Sequence, residues 1–491
     1  MKKISYLLLI LFPCITLAQA PTVEWTKCLG GSEPEEAIAV QTTPDGGCII
    51  LGKTSSSNGD ISDPPGYIDF WVVKLDAQGN ISWEKTFGSN NTDEPGSIAL
   101  SNDGGYVIIG TVGSCNRDVV CAHDNDSLWI IKLNSTGILQ WQKTYGSNCG
   151  NEIRSTADGG YVIAGKTNVN SGDCDAVVLK IDSSGNQQWL KVFGGNHQQE
   201  AVSVMPTSEG EYLVAFKDTQ ISGFDTTMLK LATNGDLIWQ KNIGGILGDR
   251  IYDMMIAADG NYILAGDIYN FDNGYYGLND ALLIKTTPDG DLLWQKSYGG
   301  TNSDLIKSVV ALPDGGFAAS GFTQSNNVGD IIGPHPNYDG WLFRVDADGN
   351  LLWQQYIGAM GIDLLLDLKQ CPDQGFLTVG YTTSATIGSN AVNHGSEDLL
   401  VTKLSAEMLG NNTFDGAVAT VFPNPAGSVL NFSRNGSDVK AIRIYNHLGQ
   451  LVKSQNKHDL SMVDVSDLPT GTYNLLLDKG NTSEVIKFLK K

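Results

Sequence analysis

Apolar residues fall in short runs of five to seven along most of this chain, and no long stretch keeps an apolar face at helical spacing. The runs come in sets of four. Tryptophan marks the period: Trp25, Trp83, Trp141, Trp189, Trp239, Trp294 and Trp353 stand 48 to 59 residues apart. Each opens a stretch such as WEKTFGS (83–89) or WQKSYGG (294–300). Twenty residues after six of them comes a turn such as PDGG (44–47) or NDGG (102–105), and the third unit reaches ADGG (157–160) in seventeen. An apolar run follows, such as CIILGKT (48–54), and after a variable gap another, such as DFWVVKLD (69–76) or DALLIKTT (280–287). The basic residue of that last run is Lys74, Lys132, Lys180, Lys230, Lys285, Arg344 or Lys403, and the first six stand nine residues before the next tryptophan. Between them lies a turn such as DAQGN (76–80), where Asp starts the turn and Gly supplies the left-handed conformation of a tight hairpin. The pattern predicts units of four short antiparallel strands, a to d, with the DGG turn joining a to b.

The two ends of the array complement each other. It begins with a lone d strand at Trp25 and ends with a c strand, DLLVTKLS (398–405), after which no tryptophan follows. Pairing those two strands closes seven four-stranded blades into a ring and leaves no open edge. The expected fold is all-β: a seven-bladed β-propeller over residues 19–405, closed by its N-terminal strand.

Composition fits this picture. Glycine makes up 57 of 491 residues and charged residues only 18 %. Residues 1–18 read as a signal peptide, with Lys2 and Lys3 before the apolar run Tyr6 to Pro13, which is too short to span a bilayer. No later segment is long enough, so no transmembrane segment is expected in the mature chain. The net charge is −22, and residues 21–420 alone carry −27, which repels nucleic acid and anionic surfaces. Such a charge suits solubility outside the cell, and it can attract divalent cations or basic partners; no cofactor is expected, and calcium is the candidate ion, with HDND (123–126) as candidate ligands. Seven cysteines remain after processing, with Cys115 and Cys121 as the best disulfide pair and Cys149 with Cys174 the next.

After Ser405 the repeat stops. Residues 406–420 read as a linker, and VFPNPAGSVLNF (421–432), IRIYNHLGQLVKS (442–454), VDVSDLPTGTYNLLL (463–477) and VIKFLKK (485–491) follow, whose alternation predicts a small Ig-like β-sandwich. These blocks resemble the type A sorting domain of type IX secretion, found in Bacteroidetes. The matching positions are Pro423, Asn424 and Pro425; Tyr445, Gly449 and Val452; Leu468, Gly471 and Tyr473; and the basic tail Lys487, Lys490 and Lys491. The resemblance implies handling by the type IX secretion machinery and passage across the outer membrane, often with removal of the domain and attachment to surface lipopolysaccharide. The array itself, roughly residues 22–405, resembles quinoprotein-dehydrogenase-like propellers and the DGG repeats of secreted Bacteroidetes proteins, which bears on fold more than activity.

Function is expected where the repeat breaks. An Asp five residues before the blade's Lys/Arg (Asp69, Asp175, Asp225, Asp280, Asp339, Asp398) recurs too often to be a unique catalytic group and reads as a cap at the start of strand c. The recurrent tryptophans read as inter-blade packing. The b–c loops vary, and with the d–a links they share one face of the ring. Their candidate ligand-binding residues are Tyr67, His123, Asp124, Tyr269, Tyr275, Tyr276 and Tyr338, with His335 and His394 nearby. Tyrosine beside Asp suits carbohydrate or protein ligands alike. No esterase elbow, zinc-protease motif or P-loop occurs, so no catalytic residue is assigned. The favoured function is a secreted or surface-displayed binding protein for a glycan or protein. The alternative is a surface enzyme acting on polysaccharide or a quinoprotein-like dehydrogenase, and the latter needs a deep cationic and aromatic site on the ring axis that no sequence motif specifies.

Overall fold

A computed structural model of the chain describes residues 20–63, 66–122, 127–146, 148–167, 174–195, 197–220, 223–243, 248–269, 279–333, 338–388, 391–407, 421–432, 441–446, 450–456, 462–478 and 483–491. Residues 1–18, which read as a signal peptide, and His123, Asp124, Tyr275, Tyr276, His335 and Gly449 lie outside these residues. Two compact units divide at Leu409 and Gly410.

The first unit is all-β, built from four-stranded antiparallel sheets that stack as the blades of a propeller. Seven such sheets occur among the described residues of this unit. In the first, Glu35–Thr42, Cys48–Thr54, Asp69–Leu75 and Ile81–Phe87 pair in sequence order, from inner strand to outer strand. The last sheet is composite: Asp363–Gln370, Phe376–Thr382 and Asp398–Leu404 are completed by Val23–Leu29 from the N-terminal end, with Trp25 opposite Lys403. The second and third strands are buried from end to end, as in Cys48–Thr54 and Asp69–Leu75, because sheets cover both their faces. That is why these runs read as continuously apolar.

One ion pair accounts for two of the repeat's signatures. The strand-c cation meets the acid of the a–b turn in all seven sheets: Lys74 with Asp45, Lys132 with Asp103, Lys180 with Asp158, Lys230 with Glu211, Lys285 with Asp259, Arg344 with Asp314 and Lys403 with Asp373. The six lysine pairs span 2.7–2.8 Å. Six of the seven cations are buried, Lys230 being half-buried, so removing a partner would strand a charge. The same Asp side chain accepts the turn's own backbone N–H, as Asp45 does from Gly47 at 3.0 Å.

The tryptophans pack between blades. Trp83, Trp189, Trp294 and Trp353 lie 5.6–6.2 Å from Tyr106, Tyr212, Phe317 and Phe376, the first residues of the next sheet's strand b. They also cover the glycine of the next c–d turn. A Cβ on Gly137 would come 2.9 Å from Trp83, and one on Gly79 would come 2.9 Å from Trp25. Trp25 of the composite sheet therefore touches the first sheet as Trp83 touches the second.

The second unit pairs Val421–Phe422, Val429–Phe432 and Met462–Asp464 in one sheet. A second sheet has the order Leu451–Asn456, Ala441–Asn446, Gly471–Asp478, Ser483–Lys490. Leu430, Ile442, Ile444, Val463, Leu475 and Phe488 bury their side chains in a shared core. Leu468 is buried there, and the Tyr473 ring stacks 5.6 Å from Phe488 while its hydroxyl donates to Pro469 O at 2.8 Å. Asn424 Oδ1 accepts from Leu489 N at 2.9 Å, tying the Pro423-Asn424-Pro425 turn to the final strand.

Candidate functional site

Every inner strand carries one β-bulge near its start, as between Ala37 and Ala39 or Ile251 and Asp253. A bulge leaves one residue outside the ladder and re-aims its side chain. The extra residue of all seven sheets, from Ile38 in the first to Leu366 in the last, lines a single cavity of about 110 Å³. Most are small or aliphatic. Asn151, Tyr252 and Lys307 are the exceptions, and they break the repeat.

Directly after the bulge, sheets three, five and seven place carboxylates, where the other four have Ala or Ser. Each reaches the inner strand of the next sheet and accepts a backbone N–H there: Glu152 from Val204 at 2.7 Å, Asp253 from Val309 at 3.0 Å, and Asp367 from Val40 at 2.8 Å. Ser308 Oγ bridges Asp253 and Asp367, 3.0 Å from each. Two cations compensate these acids. Arg154 pairs with Glu152 and stands 3.7 Å from Asp253, and Lys369 lies 2.5 Å from Asp367. Burial raises the Glu152 carboxyl pKa, with Asp253 adding to the rise and Arg154 opposing it. This belt of charge is mainly structural: it holds alternate blades together where the bulges free backbone groups.

Lys307 differs from its neighbours. Its ammonium sits 3.6 Å above the centroid of the Tyr252 ring, and among the described residues no carboxylate lies within ion-pair distance of it. Burial pushes its pKa down to about 8; Asp267 opposes the shift, while Arg250 and Lys217 add to it. Burial, then Asp267, raises the Tyr252 hydroxyl pKa. Nearer the strand starts, and so nearer the face of the b–c loops, is a ring of paired charges. Arg250 pairs with Asp267 at 2.6 Å, Glu200 with Lys217 at 2.7 Å and Lys166 at 3.2 Å, and Glu36 with Lys53 at 2.8 Å.

Among the residues singled out from sequence, Tyr67 is 66 % exposed on a b–c loop. Tyr269 is half-buried just past Tyr262–Ile268, and Tyr338 packs 5.8 Å from Phe322, its carbonyl accepting from Asp363 N at 2.8 Å. The structure therefore draws Tyr338 into the scaffold. Cys115 and Cys121 form a disulfide, Cα atoms 5.5 Å apart; no disulfide joins Cys149 to Cys174, contrary to the second expected pairing. Among the described residues no group of three or more His, Cys, Asp or Glu side chains is placed to hold a metal, and HDND lies outside them.

The strand-c Asp does more than cap. Asp69 accepts from Gly66 N at 3.2 Å and Asp398 from His394 N at 2.9 Å. Each also shares the glycine after strand d with the first acid of the next inner strand: Asp69 and Asp93 at Gly88, Asp339 and Asp363 at Gly358, Asp398 and Glu35 at Gly30. Burial, then Asp363, pushes Asp339 up to about 6. These carboxylate pairs are buried and repeat from blade to blade, so they belong to the scaffold rather than to a hydrolase centre.

Sequence reasoning looked to the loops and missed the inner-strand residues. Among those inner-strand residues, Lys307 and Tyr252 line one cavity together. The available signal was the difference between inner strands at the bulge position, and the bulge itself hid it by breaking the alternation.

Residues 420–491 match the model of a family described as a secretion system C-terminal sorting domain. Residues 71–274 match a repeat model described as outer membrane protein assembly factor BamB. Among solved structures, the Dos1 propeller is 13 % identical with a TM-score of 0.46, over 79 % of this chain and 96 % of that one. A PL25 ulvan lyase is 9 % identical with a TM-score of 0.47, over 76 % and 96 %, and the polysaccharide lyase Uly1 is 9 % identical with a TM-score of 0.42, over 77 % and 90 %. These likenesses are too loose to bear on activity. No curated protein matches the chain. The chain is thus a repeat β-propeller carrying a secretion-system C-terminal sorting domain.

Proposed function

We propose that this is an exported propeller that binds a glycan or protein ligand on its variable loop face, at the mouth of the cavity enclosed by the inner strands. Residues 1–18 direct export from the cytoplasm, residues 19–405 form a seven-bladed ring, residues 406–420 link, and residues 421–491 are handled by the type IX secretion machinery for release or display. Three contacts support ring closure by the N-terminal strand. Val23–Leu29 completes the last sheet, Asp367 accepts the Val40 N–H at 2.8 Å, and Glu35 N donates to Glu397 O at 3.0 Å. The last of these repeats the links from Asp93 N to Ile68 O and from Asp363 N to Tyr338 O, both 2.8 Å.

The observation that carries the binding reading is the interruption of a regular scaffold. At a position held by small or aliphatic residues in four sheets, three present Asn151, Tyr252 and Lys307 to one cavity, with paired charges nearer the strand starts. Rigid strands hold these groups, so a ligand meets a preformed site. Calcium, if it contributes, would act through the loop residues His123, Asp124 and their neighbours. The test is an array of glycans and immobilised outer-membrane proteins probed with the mature protein, with and without calcium. We expect selective retention that falls at least about tenfold in Tyr252→Ala or Tyr67→Ala. Retention unchanged in both variants, or none at all, would overturn the reading.

A further inference from the structure

We propose that Lys307 is a nucleophilic amine that captures a small aldehyde or ketone as a reversible imine in the cavity enclosed by the inner strands. The argument begins with its neighbours. Of the three cations lining that cavity, Arg154 pairs with Glu152 and Lys369 with Asp367, while Lys307 has no acid within ion-pair distance among the described residues. The nearby Asp267 is already held by Arg250 at 2.6 Å and Asn279 at 2.7 Å. The Tyr252 ring beneath the ammonium stabilises a cation only modestly and accepts no proton from it. A lysine amine becomes a nucleophile when desolvation or adjacent cations disfavour its charge, and Lys307 has both influences. At neutral pH on the order of a tenth of it is the free base, against less than about a thousandth of an ordinary lysine.

The step balances without an external oxidant or reductant. The Nζ lone pair adds to the carbonyl carbon, a proton passes from the nitrogen to the former carbonyl oxygen to give a carbinolamine, and loss of that hydroxyl with the remaining N–H proton as water leaves the imine. A cavity of about 110 Å³ has room for a small carbonyl compound or the open-chain reducing end of a sugar whose remainder stays at the mouth. A carboxylate ligand would suit an unpaired ammonium too, but the charge of −27 on residues 21–420 opposes anions and leaves a neutral carbonyl unaffected. This goes beyond the binding reading, since a ligand held only by noncovalent contacts would leave Lys307 unmodified.

The experiment is reductive trapping. The mature full chain is incubated with glycolaldehyde and cyanoborohydride between pH 6 and 10, and modified peptides are quantified by mass spectrometry. We expect Lys307 to be labelled on the order of tenfold faster at pH 7 than the exposed Lys85 and Lys491, with a half-maximal rate near pH 8. Lys307→Arg should abolish only that fast site, with the circular dichroism spectrum unchanged. Labelling of Lys307 no faster than that of Lys85, or a rate still rising steeply above pH 9, would overturn the proposal. The array result stands apart from this one: failure to retain any glycan would not alter the trapping rate, and slow trapping would not alter retention.

Discussion

At the residue scale, a charge bond between strand c and the a–b turn is the commonest device in this protein. Lys180 is 1 % exposed and its partner Asp158 stands 2.8 Å away at the surface. Burial works to raise the Asp158 carboxyl, but Lys180, the Thr156 hydroxyl and the Gly160 N–H outweigh it and hold it at about 2. Its folded value lies below its unfolded value, so the stabilisation is full above about pH 4 and is lost as pH falls toward 2. Asp158→Ala should cost on the order of 1–2 kcal/mol at pH 7: solvent screens the half-exposed carboxylate, and the buried ammonium keeps only the Ile181 carbonyl as partner among the described residues. Urea unfolding at pH 7 and pH 2.5 checks this: the gap between wild type and variant should narrow at the lower pH, and an equal gap would mean the pair contributes nothing specific. Both residues were visible in the sequence as repeats, yet not as partners. They stand 22 positions apart, and nothing local says that a lysine inside an apolar run turns toward a turn acid. Tyr252 and Lys307 were less visible still, since a bulge destroys the two-residue alternation from which side-chain direction is read.

At the scale of elements, strands and turns were legible because each depends on neighbours in sequence. The DGG and D-x-x-G-N turns fix hairpins, and burial on both faces makes strands b and c continuously apolar. The inner strands read least clearly, being half-polar and bulged. The complementary ends of the array, a lone d strand and a final c strand, pointed to the pairing of Val23–Leu29 with Asp398–Leu404. That pairing gives a prediction. Deleting residues 20–30 exposes the Asp398–Leu404 edge and removes Trp25 from Gly79, so the melting temperature should drop by about 10 °C or more and the protein should self-associate. A truncated protein that melts with the wild type would show that the ring does not depend on this strand. Adding a peptide of sequence VEWTKCL should restore part of the loss, because the vacated edge is specific in register.

At the scale of the whole molecule, two units divide the work. The first gathers Asn151, Tyr252 and Lys307 in one cavity lined by its inner strands and is strongly acidic; the second carries an opening Pro-Asn-Pro turn, a buried Leu468 and Tyr473, and a basic final strand, and matches a secretion-system sorting domain. Among the described residues no helix is long and apolar enough to cross a membrane. The sorting unit was legible as a domain because its motifs are short, ordered and local, whereas the ligand is not, because loops and inner strands specify a shape more than a name. On the reading proposed above, the step across the outer membrane depends on the second unit. The direct measurement is surface proteolysis of intact cells that express either the full chain or a chain ending at residue 420. The full chain should appear outside the cell, and the shortened one should remain protected in the periplasm; equal surface exposure of the two would contradict the account.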